Sequence, residues 1–273
     1  MSTTLFPLPK LAGVKPAARP PQACETVRLL WRVTLVLTLV ALPTALALAI
    51  DERMLGHFNV WTKPLKFQLA LALQTATLAW ALGQLTPALR RLAMPRWLAM
   101  GWVGVALYEA SFITLQGARG VASHFNRATL WESVGGTLMA SGAGALVFIV
   151  VWVGLIALWQ SRQQRWAAMP LSIGLGFVLG GGLAAWTGGD MGAARGYWPQ
   201  PLVEPVQWMP LTGWVLSQTD LRIAHFVGLH QMQFLPALAA LGILAGWRRA
   251  VVQGMLAATA FASVPAVWLL LQP

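Results

Sequence analysis

The chain has 273 residues, of which 57% are hydrophobic and 10% charged, with a formal net charge of +11 and a mean hydropathy of +0.63. So few charges exclude an ordinary water-soluble domain, where roughly 25% is usual. The basic residues lie between apolar stretches rather than in one patch, so they argue for membrane orientation and against nucleic acid.

The first 23 residues carry five Pro, are basic and have no apolar period, which predicts a disordered cytosolic tail over 1–23 ahead of a transmembrane domain over 24–273. Cys24 is the lone cysteine and excludes an intrachain disulfide. Seven apolar stretches follow, near 29–50, 65–85, 97–115, 137–159, 170–187, 224–245 and 251–271. Each approaches the ~20 residues that cross a bilayer as a helix. The sequence TALALAID at the end of the first stretch resembles a signal-peptidase site, but the long tail before it favours a retained span. The expected fold is therefore an all-α bundle of seven transmembrane helices.

Lys and Arg accumulate in short cytoplasmic loops. With the N-terminus inside, the inner side receives Lys10, Lys15, Arg19, Arg28, Arg32, Arg90, Arg91, Arg96, Arg162, Arg165, Arg248 and Arg249 against the single acid Glu25. The outer side holds seven bases and seven acids, so the whole net charge falls on the inner face. This predicts a multi-pass protein of the bacterial inner membrane with its C-terminus outside. Small residues at Gly136, Ala140 and Gly144, and at Gly176 and Gly180, predict close helix approach in the fourth and fifth spans.

Chemistry-bearing side chains concentrate at the outer end. Lys63 and Lys66, one turn apart in WTKPLKF, can hold an anion or snorkel to headgroups. Glu109 lies inside the third span, with Gln116 on nearly the same face, and intramembrane carboxylates are candidate functional groups. The connection QGARGVASHFNRATLWES adds Arg119 as a carboxylate or phosphate clamp, His124 as a proton relay or metal ligand, and Asn126 near a helix cap. The sixth span opens TDLRIAHFVGLHQMQF, with Asp220, Arg222, His225, His230 and Gln233 within fourteen residues. His225 and His230 are about 140° apart around a helix and should face different neighbours, whereas His230 and Gln233 share a face. Similar depth makes Glu109 the expected partner of His230, an acid–imidazole pair able to move protons or help hold a metal. The aromatic, Pro-rich connection 188–222 fits a surface lid or an interfacial anchor.

The strings WTKPLKF, RGVASHFN and DLRIAHFVGLHQMQ resemble motifs of a bacterial multi-span membrane protein family, a likeness that implies the fold and transfers no activity. Seven-span zinc hydrolases of the ceramidase type place a His pair four apart, where this chain has HFVGLH, and the seventh span lacks the Lys that holds retinal in microbial rhodopsins. The expected function is an outward-facing polar pocket that binds, and could transform, a lipid, quinone or small anion. Glu109, His230 and His124 would be its catalytic groups and Lys63, Lys66, Gln116, Arg119, Asn126, Asp220, Arg222, His225 and Gln233 its binding groups. A haem or metal protein, a proton-coupled transporter and a structural subunit remain open alternatives, and cofactor and oligomeric state are left undetermined.

Overall fold

A computed structural model describes residues 25–209 and 212–272. The expected tail and Cys24 lie outside the described residues. The chain is mainly helical, in the order α1 (Glu25–Ile50), β1 (Met54–Leu55), β2 (Phe58–Asn59), α2 (Thr62–Gly83), α3 (Pro87–Arg90), α4 (Ala93–Ala118), α5 (Leu130–Gln163), α6 (Ala168–Ala193), α7 (Leu221–Leu229), α8 (Gln231–Leu244) and α9 (Arg249–Leu270). Every predicted apolar stretch is mainly helical, the sixth with a break at His230. Five helices, α1, α4, α5, α6 and α9, are long and apolar enough to cross a membrane, and α7 with α8 makes a sixth if the pair, bent by 42°, is one span. Helix α2 falls outside that group because Lys63, Lys66, Gln68 and Gln74 interrupt its apolar run.

Helix α1 shows how these helices divide their surfaces. Val27, Leu30, Val33, Leu37 and Ala41 recur at three- and four-residue steps and are buried, while Leu35, Leu39, Leu42 and Leu46 between them are exposed. A stripe of this kind packs on the bundle, and the exposed Leu residues suit hydrocarbon. The central core joins α1, α2, α4, α5 and α6 through Leu30, Leu78, Leu82, Ala106, Val153 and Phe177.

Small residues set the closest approaches. A Cβ on Gly154 would lie 2.8 Å from Phe177, and one on Gly174 would lie 2.5 Å from Leu158, so α5 and α6 pack at near-backbone contact. The expected role of Gly176 and Gly180 is borne out: they face the α7/α8 break, where a Cβ on Gly176 would stand 2.6 Å from the Gln231 carbonyl oxygen. The expected stripe Gly136, Ala140 and Gly144 is corrected. Gly144 has open space around it and Ala140 is exposed. The face of α5 that meets α4 instead carries Gly135 and Gly142, seven residues apart, against Phe112 and against Val105 and Glu109.

Helix alternation gathers the connections at two ends. At one end, the Gln160 side chain accepts from Thr86 N and donates to Gln84 O, and Gln253 donates to Trp166 O, tying the α2–α4, α5–α6 and α8–α9 connections together. At the other end, Arg53 donates to Ala118 O and Thr219 donates to Gln272 O. There the β1–β2 hairpin packs with the 194–220 connection: Trp208 lies 5.1 Å from His57 and 5.4 Å from Phe58, and Trp208 bridges Val215. Arg53 and the Trp61 indole both donate to Asp51, holding its carboxyl below the usual range and bracing the start of the hairpin.

Candidate functional site

The hairpin and the 194–220 connection cover the end at which α2 begins. Lys63 and Lys66 lie one turn apart on α2, so both project from the same side of the helix. Lys66 Nζ donates to Thr212 O at 2.7 Å, and Lys63 Nζ lies 2.9 Å from His124 Nδ1. Burial and the Lys63 charge push His124 down to about 3, so its ring is neutral near pH 7. Nδ1 therefore accepts from Lys63 Nζ, and Ser123 Oγ lies 3.2 Å from the same atom. The Phe67 ring, 5.4 Å away, closes the apolar side of the imidazole.

Among the described residues the ion pairs are Arg53–Asp51, Arg119–Glu132 and Arg222–Asp220, and none involves Lys63 or Lys66. Lys63 feels the opposite charge of Glu109 and the like charge of Arg222, which also acts on Lys66. Asp220 caps α7 through Arg222 N and binds the Arg222 guanidinium through both carboxylate oxygens. Arg222 also donates to Gly213 O and stacks on Tyr197 and Trp198, its Cζ 4.6 and 5.7 Å from their ring centres. It thus fastens the cover to the helix mouth and adds positive field beside the lysines.

Glu109 is 5% exposed, its Oε1 has no hydrogen-bond partner, and Gly142 leaves the space that this oxygen occupies. The expected Glu109–His230 pair is not formed. His230 Nδ1 instead lies 3.0 Å from Gln233 Oε1, and the charge acting on Glu109 is that of Lys63. Depth along a helix axis, on which that expectation rested, does not fix direction around it.

Several predicted residues serve the protein's own architecture. Arg119 does clamp a carboxylate, but it is Glu132 of this chain, at 3.2 Å; its other branch donates to Gln116 Oε1. Gln116 Nε2 donates to Ala122 O, so Gln116 shapes the 119–129 connection. The expected cap is present at Thr129, whose hydroxyl accepts from Glu132 N and donates to Glu132 Oε2. Asn126 closes the turn before it, donating to Ala122 O and accepting from Ala128 N. His225 faces α6, with Nδ1 2.9 Å from Thr187 Oγ1, so the two histidines of α7/α8 do address different neighbours. The structure therefore brings Lys63, Lys66, His124, Glu109 and Arg222 toward one end, and joins Gln116, Arg119, Asn126 and His225 to partners within the chain.

A second polar group lies deeper. Gln233 Nε2 donates to Gln74 Oε1 at 3.3 Å and to Thr77 Oγ1 at 3.0 Å, joining α8 to α2. On another side of α2, Gln68 Nε2 donates to Thr114 Oγ1, and the Trp102 indole donates to Thr75 Oγ1. Gln68, Gln74, Thr75 and Thr77 were not among the predicted site residues, although two glutamines in one apolar span are a visible signal.

Two grooves, of about 460 and 310 Å³, are apolar: one is lined by Leu175, Leu179, Trp186 and Ala260 and the other by Met94, Trp152 and Trp159. Neither includes the polar residues above. No group of three or more His, Cys, Asp or Glu able to hold a metal is found among the described residues. No protein-family model, curated protein or solved structure matches the chain, so its chemistry rests on its own residues.

Proposed function

We infer that this chain is a seven-span protein of the bacterial inner membrane, N-terminus inside and C-terminus outside, that binds an anionic group at its outer end. Counting α2 as a span despite its polar residues gives seven, and the ends gathered by the loop contacts are the ends that the charge tally separates. The bound group is a phosphate or carboxylate, carried by a lipid headgroup or a small anion.

The observation that carries this reading is the state of Lys63 and Lys66. Two ammonium groups one turn apart lie under a protein cover, partly buried, with no carboxylate in ion-pair contact among the described residues. Each spends one N–H on a neutral acceptor, the His124 ring or Thr212 O, and keeps donors for a ligand. An anion between them would gain charge-assisted hydrogen bonds in a partly desolvated setting. Glu109 then balances Lys63 while the site is empty and can exchange a proton as the anion arrives.

The test is thermal unfolding of the purified protein in neutral detergent, titrated with inorganic phosphate and with phosphatidylglycerol or phosphatidylcholine. Stabilisation by phosphate or phosphatidylglycerol that is absent with phosphatidylcholine, and lost in Lys63→Met and Lys66→Met, is the expected result. Equal stabilisation of wild type and both variants would refute the site.

A further inference from the structure

Helix α2 and the α7/α8 pair do not pack backbone to backbone as other helix pairs of the bundle do, and long polar side chains bridge the gap between them. Lys66 reaches Thr212 at its mouth, and Gln233 reaches Gln74 and Thr77 about 12 Å deeper, eight residues on at ~1.5 Å per residue. Ala70 lies one turn from each of Lys66 and Gln74 and is exposed, and so is Leu73, at 47%. On the α7/α8 side, Phe226 and Phe234, each four residues from His230, are 46% and 55% exposed. In a membrane, exposure at this depth is exposure to lipid, so the cleft opens sideways into the bilayer.

The polar groups inside this cleft are chemically determined. Gln233 Nε2 donates to Gln74 and Thr77, so Gln233 Oε1 is an acceptor and the His230 Nδ1–H is the donor to it. In the neutral ring that bond leaves a lone pair on Nε2, which makes no hydrogen bond among the described residues. Gln74 is 7% exposed, its Oε1 is taken by Gln233, and its Nε2 has no partner. The helix break that presents His230 is held by Gly176 and Gly180 of α6. Interrupted helices at mid-membrane depth are where membrane proteins place polar ligand groups.

We propose that the cleft between α2 and α7/α8 is a lipid-accessible site for the head group of a membrane quinol, which accepts from Gln74 Nε2 and donates to His230 Nε2. A hydroxyl does both, which matches the free donor on Gln74 and the free acceptor on His230. The half-exposed rings of Phe226, packed 4.0 Å from the His230 ring, and Phe234 favour an aromatic head over a simple alcohol. A quinone carbonyl only accepts, so the oxidised form would leave His230 Nε2 unpaired and bind more weakly. This site stands apart from the anion site at Lys63 and Lys66, and neither reading depends on the other.

Isothermal titration of the detergent-purified protein under argon, with decyl-benzoquinol, the matching quinone and decanol, tests it. Loss of one hydrogen bond costs about tenfold in Kd at the upper end of the usual range, so the quinol should bind up to about tenfold more tightly than the quinone. Decanol should not compete. Gln74→Leu should weaken quinol binding, and Ala70→Trp, which fills the cleft from an exposed position without touching a buried polar group, should abolish it. Lys63→Met should retain quinol binding while losing stabilisation by phosphate. Equal or tighter binding of the quinone, competition by decanol, or quinol binding in Ala70→Trp equal to wild type would overturn the proposal, and Ala70→Trp keeps the test decisive if Gln74→Leu fails to fold.

Discussion

Replacing Gly176 by Ala should damage the protein far more than one methyl group suggests. The added Cβ would stand 2.6 Å from the Gln231 carbonyl oxygen and 3.3 Å from both the Gln231 carbonyl carbon and Met232 Cα. All three are backbone atoms, so no side-chain rotation relieves the contact. To restore an ordinary 3.4 Å separation, α6 and the start of α8 must part by nearly an ångström. Overpacking of this kind costs about 1–3 kcal/mol, against roughly 1 kcal/mol gained by replacing Gly with Ala in a helix. A net loss of up to about 2 kcal/mol follows. The same helix supplies its own control. Gly182 has nothing within 4 Å of a built Cβ, so Gly182→Ala should be neutral or stabilising by up to about 1 kcal/mol. Gly180→Ala should fall between the two, because its nearest neighbour is the flexible Met232 side chain at 3.0 Å. Thermal unfolding in detergent reads the series. Equal midpoints for Gly176→Ala and Gly182→Ala would refute the claim that α6 holds the helix break by backbone contact. Gly176→Ala should also weaken quinol binding, since the shift carries His230 and Gln233 away from Gln74.

Other expectations follow from the outer end. The folded pKa of His124 lies well below its unfolded value, so unfolded chains bind the proton first as pH falls. Stability should decline as pH drops below about 6.5, by at most about 1.4 kcal/mol per unit, and His124→Asn should flatten that decline in midpoints measured from pH 7.5 to 5. Glu132→Ala removes the carboxylate that accepts from both the Thr129 hydroxyl and Arg119, while the Thr129 cap to the backbone N–H of residue 132 stays; a loss of about 1.5–3 kcal/mol is expected in the same unfolding assay, and a loss under 0.5 kcal/mol would contradict the assignment. Trp102→Phe, which leaves the Thr75 hydroxyl without its donor, should cost about 1–2 kcal/mol. For topology, alkaline phosphatase fused after Gln272 should be active and a fusion after Arg91 inactive; the reverse pattern would invert the orientation.

Much of the candidate site is legible in the sequence as composition and less as geometry. Lys63 and Lys66 stand out because two lysines at the mouth of an apolar stretch are costly unless they reach water or a partner. The sequence could not show that His124, sixty-one residues from Lys63, would be the group that meets it. Gln74 and Thr77 lower the hydropathy of α2 without showing in the sequence what they meet, and their partner appears only when Gln233 arrives from α8. Arg119 has the right chemistry for an anion clamp, yet Glu132 lies thirteen residues on, where the turn at Asn126 and the start of α5 bring its carboxylate within reach.

By itself the sequence determined that the chain is helical, where its helices fall and which ends carry the charge. Those properties depend on transfer of side chains from water and on backbone hydrogen bonding within one segment, both local sums. Only the tertiary structure decided which way each polar group points: that His230 turns to Gln233 and not Glu109, that α5 meets α4 through Gly135 and Gly142, and that the sixth stretch breaks at His230. Direction around a helix axis is set by the neighbour it packs on, and the glycines of α6, which let a backbone come within contact of the break, belong to a different part of the chain.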